Sequence, residues 1–244
     1  MTKYTGTRGN DRLFGSTSQD EFVGFRGRDR FEGNGGQDVV NYSLDGGKFG
    51  VKVNLWGGGS HGGILGDSAI DSHGFRDTVK EIPNVIGTKF ADEIYGGGKA
   101  NSLWGGGGND LLYGYHGKDK LYGGLGADNL TGGFGADAFV FTHVNESKLS
   151  LKGRDTIQDF SHAQRDRIDV SLIDVNKKTA VDEAFRFVGF VSEDTVRAPR
   201  AGELRYTHTD ENTVVLGYIN GDSKPDFAIT LQGILALVKS DFIL

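Results

Sequence analysis

Large apolar residues return at every ninth position in two stretches of the chain. The first set is Leu13, Phe22, Phe31 and Val40, and the second is Leu112, Leu121, Leu130 and Phe139. Two residues before each stands an aspartate, namely Asp11, Asp20, Asp29 and Asp38, then Asp110, Asp119, Asp128 and Asp137. Five residues before each aspartate stands a glycine: Gly6, Gly15, Gly24, Gly33, then Gly105, Gly114, Gly123, Gly132. A six-residue Gly-rich segment ending in Asp predicts a turn, because glycine accepts positive φ and close backbone approach. The three residues after it, with an apolar centre, predict one short strand with that centre turned inward. Two units then complete one coil, and alternate strands build two facing sheets with Leu112, Leu121, Leu130 and Phe139 between them. Successive coils at the ordinary strand spacing of about 4.8 Å stack Asp110 over Asp128 and Asp119 over Asp137. Two carboxylates about 5 Å apart repel by roughly 3 kcal/mol at an effective dielectric near 20. Such a roll should resist closing unless a cation lies between its turns. Carboxylates and turn carbonyls are hard oxygen donors, which favours calcium over a transition metal.

The pattern divides the chain into four segments. The first array occupies residues 1–43, with Ser18 as the one break in its second glycine position, held elsewhere by Gly9, Gly27 and Gly36. Residues 44–86 lose the period and read as an insertion or a degraded coil, too short for a core of its own. Within them Val51–Leu55 alternates as a half-buried strand, 57–63 reads as a mobile Gly-rich loop, and Asp77–Ile82 as a return strand. Gly66-Asp67-Ser68 has no base or oxyanion context and is read as a polar loop, not a nucleophile. The second array, 87–141, opens with two imperfect units, in which Asp92 is kept, Phe90 and Lys99 replace glycine, and Asn101 replaces the carboxylate. Residues 142–244 return to ordinary alternation, with a short helix expected at Thr179–Phe185. Antiparallel strands are expected at Gly202–Tyr206, Thr213–Tyr218 and Phe227–Leu231.

Composition agrees with a thin roll. Of 244 residues 40 are Gly and 3 are Pro, without a Gly-x-y register, so collagen is excluded. The hydrophobic fraction of 36% is low, as one buried residue per strand requires, and the net charge of −6 argues against nucleic acid as the main partner. There is no Cys, hence neither a disulfide nor a thiolate metal site. Met1–Gly6 has no apolar core of a conventional signal peptide, and no apolar run has the length of a membrane helix.

The unit G-G-x-G-x-D-x-U-x, with U apolar, is identified as the repeat of calcium-binding parallel β-helices. Together with Asp155–Asp174, Gly202–Tyr206, Asn220–Phe227 and the terminal Asp241-Phe242-Ile243-Leu244, it resembles the C-terminal region of the serralysin family, secreted metallopeptidases of the repeats-in-toxin group. The resemblance implies an all-β fold, a calcium-binding parallel β-roll of nonapeptide repeats with a C-terminal β-rich cap. It implies several calcium ions, extracellular localisation, and export by type I (ABC) secretion machinery that reads the C-terminus. The aspartates above, with Asp92, are the implied side-chain ligands. Further ligands in the family are turn carbonyls, which fall here on Gly6, Gly15, Gly24, Gly33, Gly105, Gly107, Gly108, Gly114, Gly117, Gly123, Gly126, Gly132 and Gly135. At the third turn position they fall on Arg8, His116 and Leu125. Asp166 and Asp169 in the cap are read equally as ligands or as caps and ion-pair partners. Asn220–Asp226 is read as a structural hairpin in preference to a calcium loop.

The family's H-E-x-x-H zinc motif is missing, since none of the six His precedes Glu and no two lie four apart. The expected function is therefore non-enzymatic: a secreted module that folds on calcium after export. The alternative is a detached C-terminal portion of a larger secreted metallopeptidase or polysaccharide-modifying enzyme. The array begins at Gly6, where a catalytic domain would have ended, so a stand-alone paralogue and a fragment are both expected readings. Tyr95, Trp104, Tyr113 and Tyr122 point outward, Tyr95 and Tyr113 on one sheet, Trp104 and Tyr122 on the other. Aromatic packing beneath the insertion or cap is preferred over a stacking surface for a cell-surface or glycan partner.

Overall fold

A computed structural model describes residues 1–175, 183–192 and 198–244. Two sheets face each other along its length. The first has nine strands, all in parallel: Thr2–Thr5, Asp20–Val23, Val39–Asn41, Asn84–Ile86, Ser102–Gly107, Lys120–Leu125, Ala138–Val140, Arg167–Asp169 and Phe242–Ile243. The second has thirteen and carries both the insertion and the cap. The register repeats every 18 residues, with Leu103 opposite Leu121 and Leu112 opposite Leu130, so two nonapeptides make one coil. Leu103, Leu112, Leu121, Leu130 and Phe139 are wholly buried between the sheets. Among the described residues there is no α-helix, and only Leu151–Gly153 and Lys239–Asp241 form 3-10 turns. The fold is an all-β parallel roll with a β-rich C-terminal piece.

The segment between the arrays contributes to the second sheet. Lys52–Asn54 lies parallel to Glu93–Tyr95, and Arg76–Lys80 lies parallel to Arg30–Glu32. Between them Ser68–Ile70 runs antiparallel to both. Sequence alternation finds the two outer strands and misses the middle one, because Ser68-Ala69-Ile70 has too few apolar positions to show a period. Its Ala69 is buried, and Ser68 Oγ donates to the Leu65 carbonyl at 2.7 Å, so Ser68 serves the turn. The Gly-rich stretch expected as a mobile loop contains a two-stranded hairpin, Ser60–His61 against Ile64–Leu65, held by Ile64 buried at its base.

Beyond the roll, Thr156–Ile157 passes the second sheet to Phe227–Gln232, which pairs antiparallel with Asn212–Tyr218 and, through it, Glu203–His208. These match the three cap strands read from the sequence. The helix expected at Thr179–Phe185 falls, up to Asp182, outside the described residues.

Candidate metal centre

The aspartates of the repeats form columns along both edges of the roll. Within each array the backbone N–H of one aspartate donates to the Oδ1 of the aspartate one coil later. Asp110 donates to Asp128 at 2.8 Å, Asp119 to Asp137 at 2.8 Å, Asp11 to Asp29 at 2.9 Å and Asp20 to Asp38 at 2.8 Å. The stacking expected from the nine-residue phase is present, and one carboxylate oxygen per turn is occupied by it.

The other oxygen divides the turns into two kinds. In the turns ending at Asp11, Asp20 and Asp92, the second turn residue is Thr7, Ser16 or Thr88, and its backbone N–H donates to Oδ2 at 2.7, 2.7 and 2.6 Å. Asn101 is held in the same way, by the Gly97 N–H at 2.8 Å. These closed turns lead each array. In the remaining turns the second residue has positive φ, which swings its N–H away from the carboxylate. The residues concerned are Phe25 (φ 63°), Asn34 (64°), Gly106 (104°), Tyr115 (74°), Gly124 (94°) and Gly133 (92°). In these open turns Oδ2 of Asp29, Asp38, Asp110, Asp119, Asp128 and Asp137 is buried with no hydrogen-bond partner. Native interiors seldom tolerate such orphaned atoms, so a run of them asks for a ligand.

The first turn glycine makes room for this oxygen. A Cβ at Gly105 would stand 2.2 Å from Asp110 Oδ2 and 2.6 Å from the carbonyl of Gly123 one coil later. At Gly114 the corresponding distances are 2.4 Å to Asp119 Oδ2 and 2.6 Å to the Gly132 carbonyl. Carboxylate and carbonyl oxygens from successive coils thus converge on one small space, which is the donor set of a hard cation.

Electrostatics agree. Burial, the leading cause in each case, raises the carboxyl of Asp110 to about 8, Asp119 to about 7, Asp128 to about 6 and Asp29 to about 6. Asp38 and Asp137 are also raised by burial. Asp92, although in a closed turn, is raised to about 6 by its burial. Asp20 is instead lowered, first by the Ser16 backbone hydrogen bond.

Two column members escape the nonapeptide reading. Asp155 continues the Asp110–Asp128 column, accepting the Asp128 N–H at 2.9 Å, and its Oδ2 is orphaned as well. Burial raises its carboxyl to about 9. Asp77 continues the Asp11–Asp29 column, accepting the Asp29 N–H at 2.9 Å and the Tyr42 hydroxyl on Oδ2 at 3.2 Å. Burial lifts it to about 8. Neither follows its predecessor by 18 residues, so only the sheet register reveals them; the available signal was Asp-x-apolar, in Asp155-Thr156-Ile157 and Asp77-Thr78-Val79.

Asp166 ends the other column as a closed turn, taking the Asp137 N–H on Oδ1 at 3.0 Å and the Ser161 N–H on Oδ2 at 2.9 Å. Asp169 Oδ1 accepts the backbone and hydroxyl of Ser171, a local cap. In the 220–226 loop, Asp226 and Asn220 accept the loop's own N–H groups, including Ile219 N–H to Asp226 Oδ2 at 2.6 Å, as in a structural hairpin. Of the third turn positions expected to offer carbonyls, Leu125 accepts the Gly108 N–H at 2.9 Å. The His116 ring stacks on Trp56 at 5.5 Å and on Phe134 at 5.0 Å, outside the carboxylate column.

The outward aromatics pair along the sheets as the strand phase requires. Trp104 stacks on Tyr122 at 4.9 Å, and Tyr95 sits opposite Tyr113. The Ser60–Leu65 hairpin brings His61 to 6.0 Å from Tyr95 and 4.8 Å from Tyr115.

Among solved structures, the AlgE6R3 subunit of the Azotobacter vinelandii mannuronan C5-epimerase is 32% identical, covering 64% of this chain and 78% of its own (TM-score 0.44). The AlgE6R2 subunit of the same epimerase is 28% identical over 65% of this chain and 91% of its own (TM-score 0.43). The extracellular lipase LipA of Serratia marcescens is 16% identical, covering 100% of this chain and 40% of its own (TM-score 0.33). No curated protein sequence matches the chain. Residues 5–244 match the family described as Peptidase M10 serralysin C terminal, and the chain belongs to that family.

Proposed function

We propose that the chain is a secreted calcium-binding β-roll, non-enzymatic on its own, that is exported unfolded by a type I system and folds when it meets calcium outside the cell. One observation carries this reading: the buried Oδ2 atoms of Asp29, Asp38, Asp110, Asp119, Asp128, Asp137 and Asp155 have no protein partner. Calcium fits them: a glycine keeps space open beside Oδ2 of all but Asp155, and at Asp38, Asp110 and Asp119 a carbonyl oxygen of a neighbouring coil borders the same space. When bound, calcium supplies the positive charge that lets stacked carboxylates stay ionised. Asp20 and Asp92 have both oxygens engaged and Asp11 its Oδ2, and all three hold the leading turns shut by hydrogen bonds.

The terminal residues support the export half of the reading. Phe242–Ile243 pairs with Arg167–Asp169, Phe242 is buried, and Asp241 faces His162 Nδ1 at 2.8 Å. An export machinery that recognises Asp241–Leu244 would find Asp241 and Phe242 accessible only in the unfolded chain. Low intracellular calcium keeps the chain in that state. The test is a calcium titration of chelated protein followed by far-ultraviolet circular dichroism. Sheet signal appearing with calcium is the expected result, and full folding in excess chelator would overturn the proposal.

A second reading, a C-terminal part of a larger secreted metallopeptidase or polysaccharide-modifying enzyme, is favoured by a family that is itself a C-terminal region. A reading frame continuing upstream of Met1 into a catalytic domain would decide for it.

A further inference from the structure

Asp45, Asp71 and His73 lie in the segment between the two arrays, outside the nonapeptide turns. One ligand atom from each lies within 4.8 Å of the others. Both carboxylates are buried, Asp45 at 6% and Asp71 at 1% exposure, and each has one oxygen fixed and one left over. Asp45 Oδ2 accepts the Ser72 N–H at 3.1 Å and the Ser72 hydroxyl. Asp71 Oδ1 accepts the N–H groups of His73 at 3.0 Å and Phe75 at 2.6 Å. Asp45 Oδ1 and Asp71 Oδ2 have no hydrogen-bond partner, and the first faces His73 Nδ1 at 3.4 Å. Among the described residues no lysine or arginine pairs with either carboxylate.

We propose that Asp45, Asp71 and His73 bind a divalent transition-metal ion of the zinc type, at a site that borders the Asp11–Asp29–Asp77 column but has ligand atoms of its own. The donor set makes the distinction. The roll turns offer oxygen only, whereas an imidazole beside two carboxylates suits zinc and its neighbours and is poor company for calcium. Three protein ligands with one open position are a common zinc arrangement. The open side faces a groove of about 520 Å³ bounded by the turn residues Gly6, Thr7, Arg8 and Arg26 and by Leu44. The hydrogen bonds from Ser72, the His73 N–H and Phe75 hold the carboxylates as outer-shell partners do around known metal sites. They leave the free oxygens pointed at one place before any ion arrives.

The experiment is calorimetric titration of zinc into the untagged, calcium-saturated chain. One zinc per chain is expected. His73→Ala, which removes a partly exposed ring, and Asp71→Asn, which keeps the oxygen that accepts the backbone N–H groups, should each weaken zinc at least about tenfold, since loss of even a supporting residue costs 10–100-fold. His61→Ala should bind zinc like the wild type. Dichroism of His73→Ala in calcium should match the wild type, so its result decides even if Asp71→Asn fails to fold. Absence of zinc binding by the calcium-loaded wild type, or wild-type affinity in His73→Ala, overturns the proposal. Because calcium is present throughout, either result stands whether or not folding depends on calcium.

Discussion

Asp110 and Asp20 occupy the same place in the same nine-residue unit, yet opposite consequences follow from replacing them. Asp110 buries an oxygen with no partner, whereas both oxygens of Asp20 accept hydrogen bonds from Ser16 and Thr2. Asp110→Asn, which removes a buried unpaired charge, should raise the residual sheet signal of the chelated protein at pH 8 and lower stability in calcium. Asp20→Ala should raise no such signal, cost about 1–3 kcal/mol in calcium through lost hydrogen bonds, and leave calcium stoichiometry unchanged. Circular dichroism of both variants in chelator and chemical denaturation in calcium check the pair. Matching responses from the two would show that the open and closed turns do not differ in function.

The turn is the element on which coil stacking depends. Gly126 has φ 154°, and a Cβ there would stand 1.6 Å from the Gly108 carbonyl of the preceding coil. Neither residue can move without pulling a strand out of register. Gly126→Ala should therefore lower stability by at least about 1–3 kcal/mol, the range for forced overpacking, and a thermal melt in calcium will show it. The Ser60–Leu65 hairpin is an added element with a different role. It lays His61 against Tyr95 and Tyr115, while Trp56 packs at a tilt against Tyr115 with ring centres 5.4 Å apart. Replacing residues 57–66 by a short turn should raise acrylamide quenching of tyrosine fluorescence and leave the calcium midpoint unchanged. Unaltered quenching would mean that the hairpin does not cover these rings.

For the molecule as a whole, the raised carboxyls set a pH dependence whose sign is definite. Asp110, Asp119, Asp128 and Asp155 sit at about 8, 7, 6 and 9 in the folded, ion-free chain, against about 3.9 for an unfolded aspartate. Between these values the folded state binds more protons than the unfolded one. Stability from this source is full below the unfolded value and is lost as pH rises through the folded ones. Chelated protein should show more sheet signal at pH 5 than at pH 8. Calcium binding should release protons, and its affinity should fall on acidification. Equal sheet signal at pH 5 and pH 8 in chelator would refute this. Calcium at a few millimolar, with a dissociation constant near 10⁻⁴ M, adds about 2 kcal/mol per site. A few sites together therefore reach the roughly 5–15 kcal/mol of an ordinary domain. On the proposed export route, deleting Asp241–Leu244 should leave the chain inside a cell that has the matching transporter, as fractionation would show.

The nine-residue phase alone was enough for the roll, because a period of 18 per coil dictates which residues stack. Leu112 over Leu130 and Asp110 over Asp128 follow from counting. The three cap strands from Glu203 to Gln232 were equally legible from alternation. Counting could not tell an open turn from a closed one, since the difference lies in the φ of the second residue and the hydrogen bond it makes or withholds. Tyr115 and Phe25 adopt positive φ although they are not glycine, which no local propensity foretells. Counting also lost the columns where the spacing breaks. Asp155 and Asp77 join them through strand pairing across 27 and 48 residues, and Asp45 meets Asp71 and His73 only because the intervening strands fold back onto the second sheet. Local repetition determines stacking wherever the repeat is intact, and tertiary pairing determines it wherever the chain leaves that period.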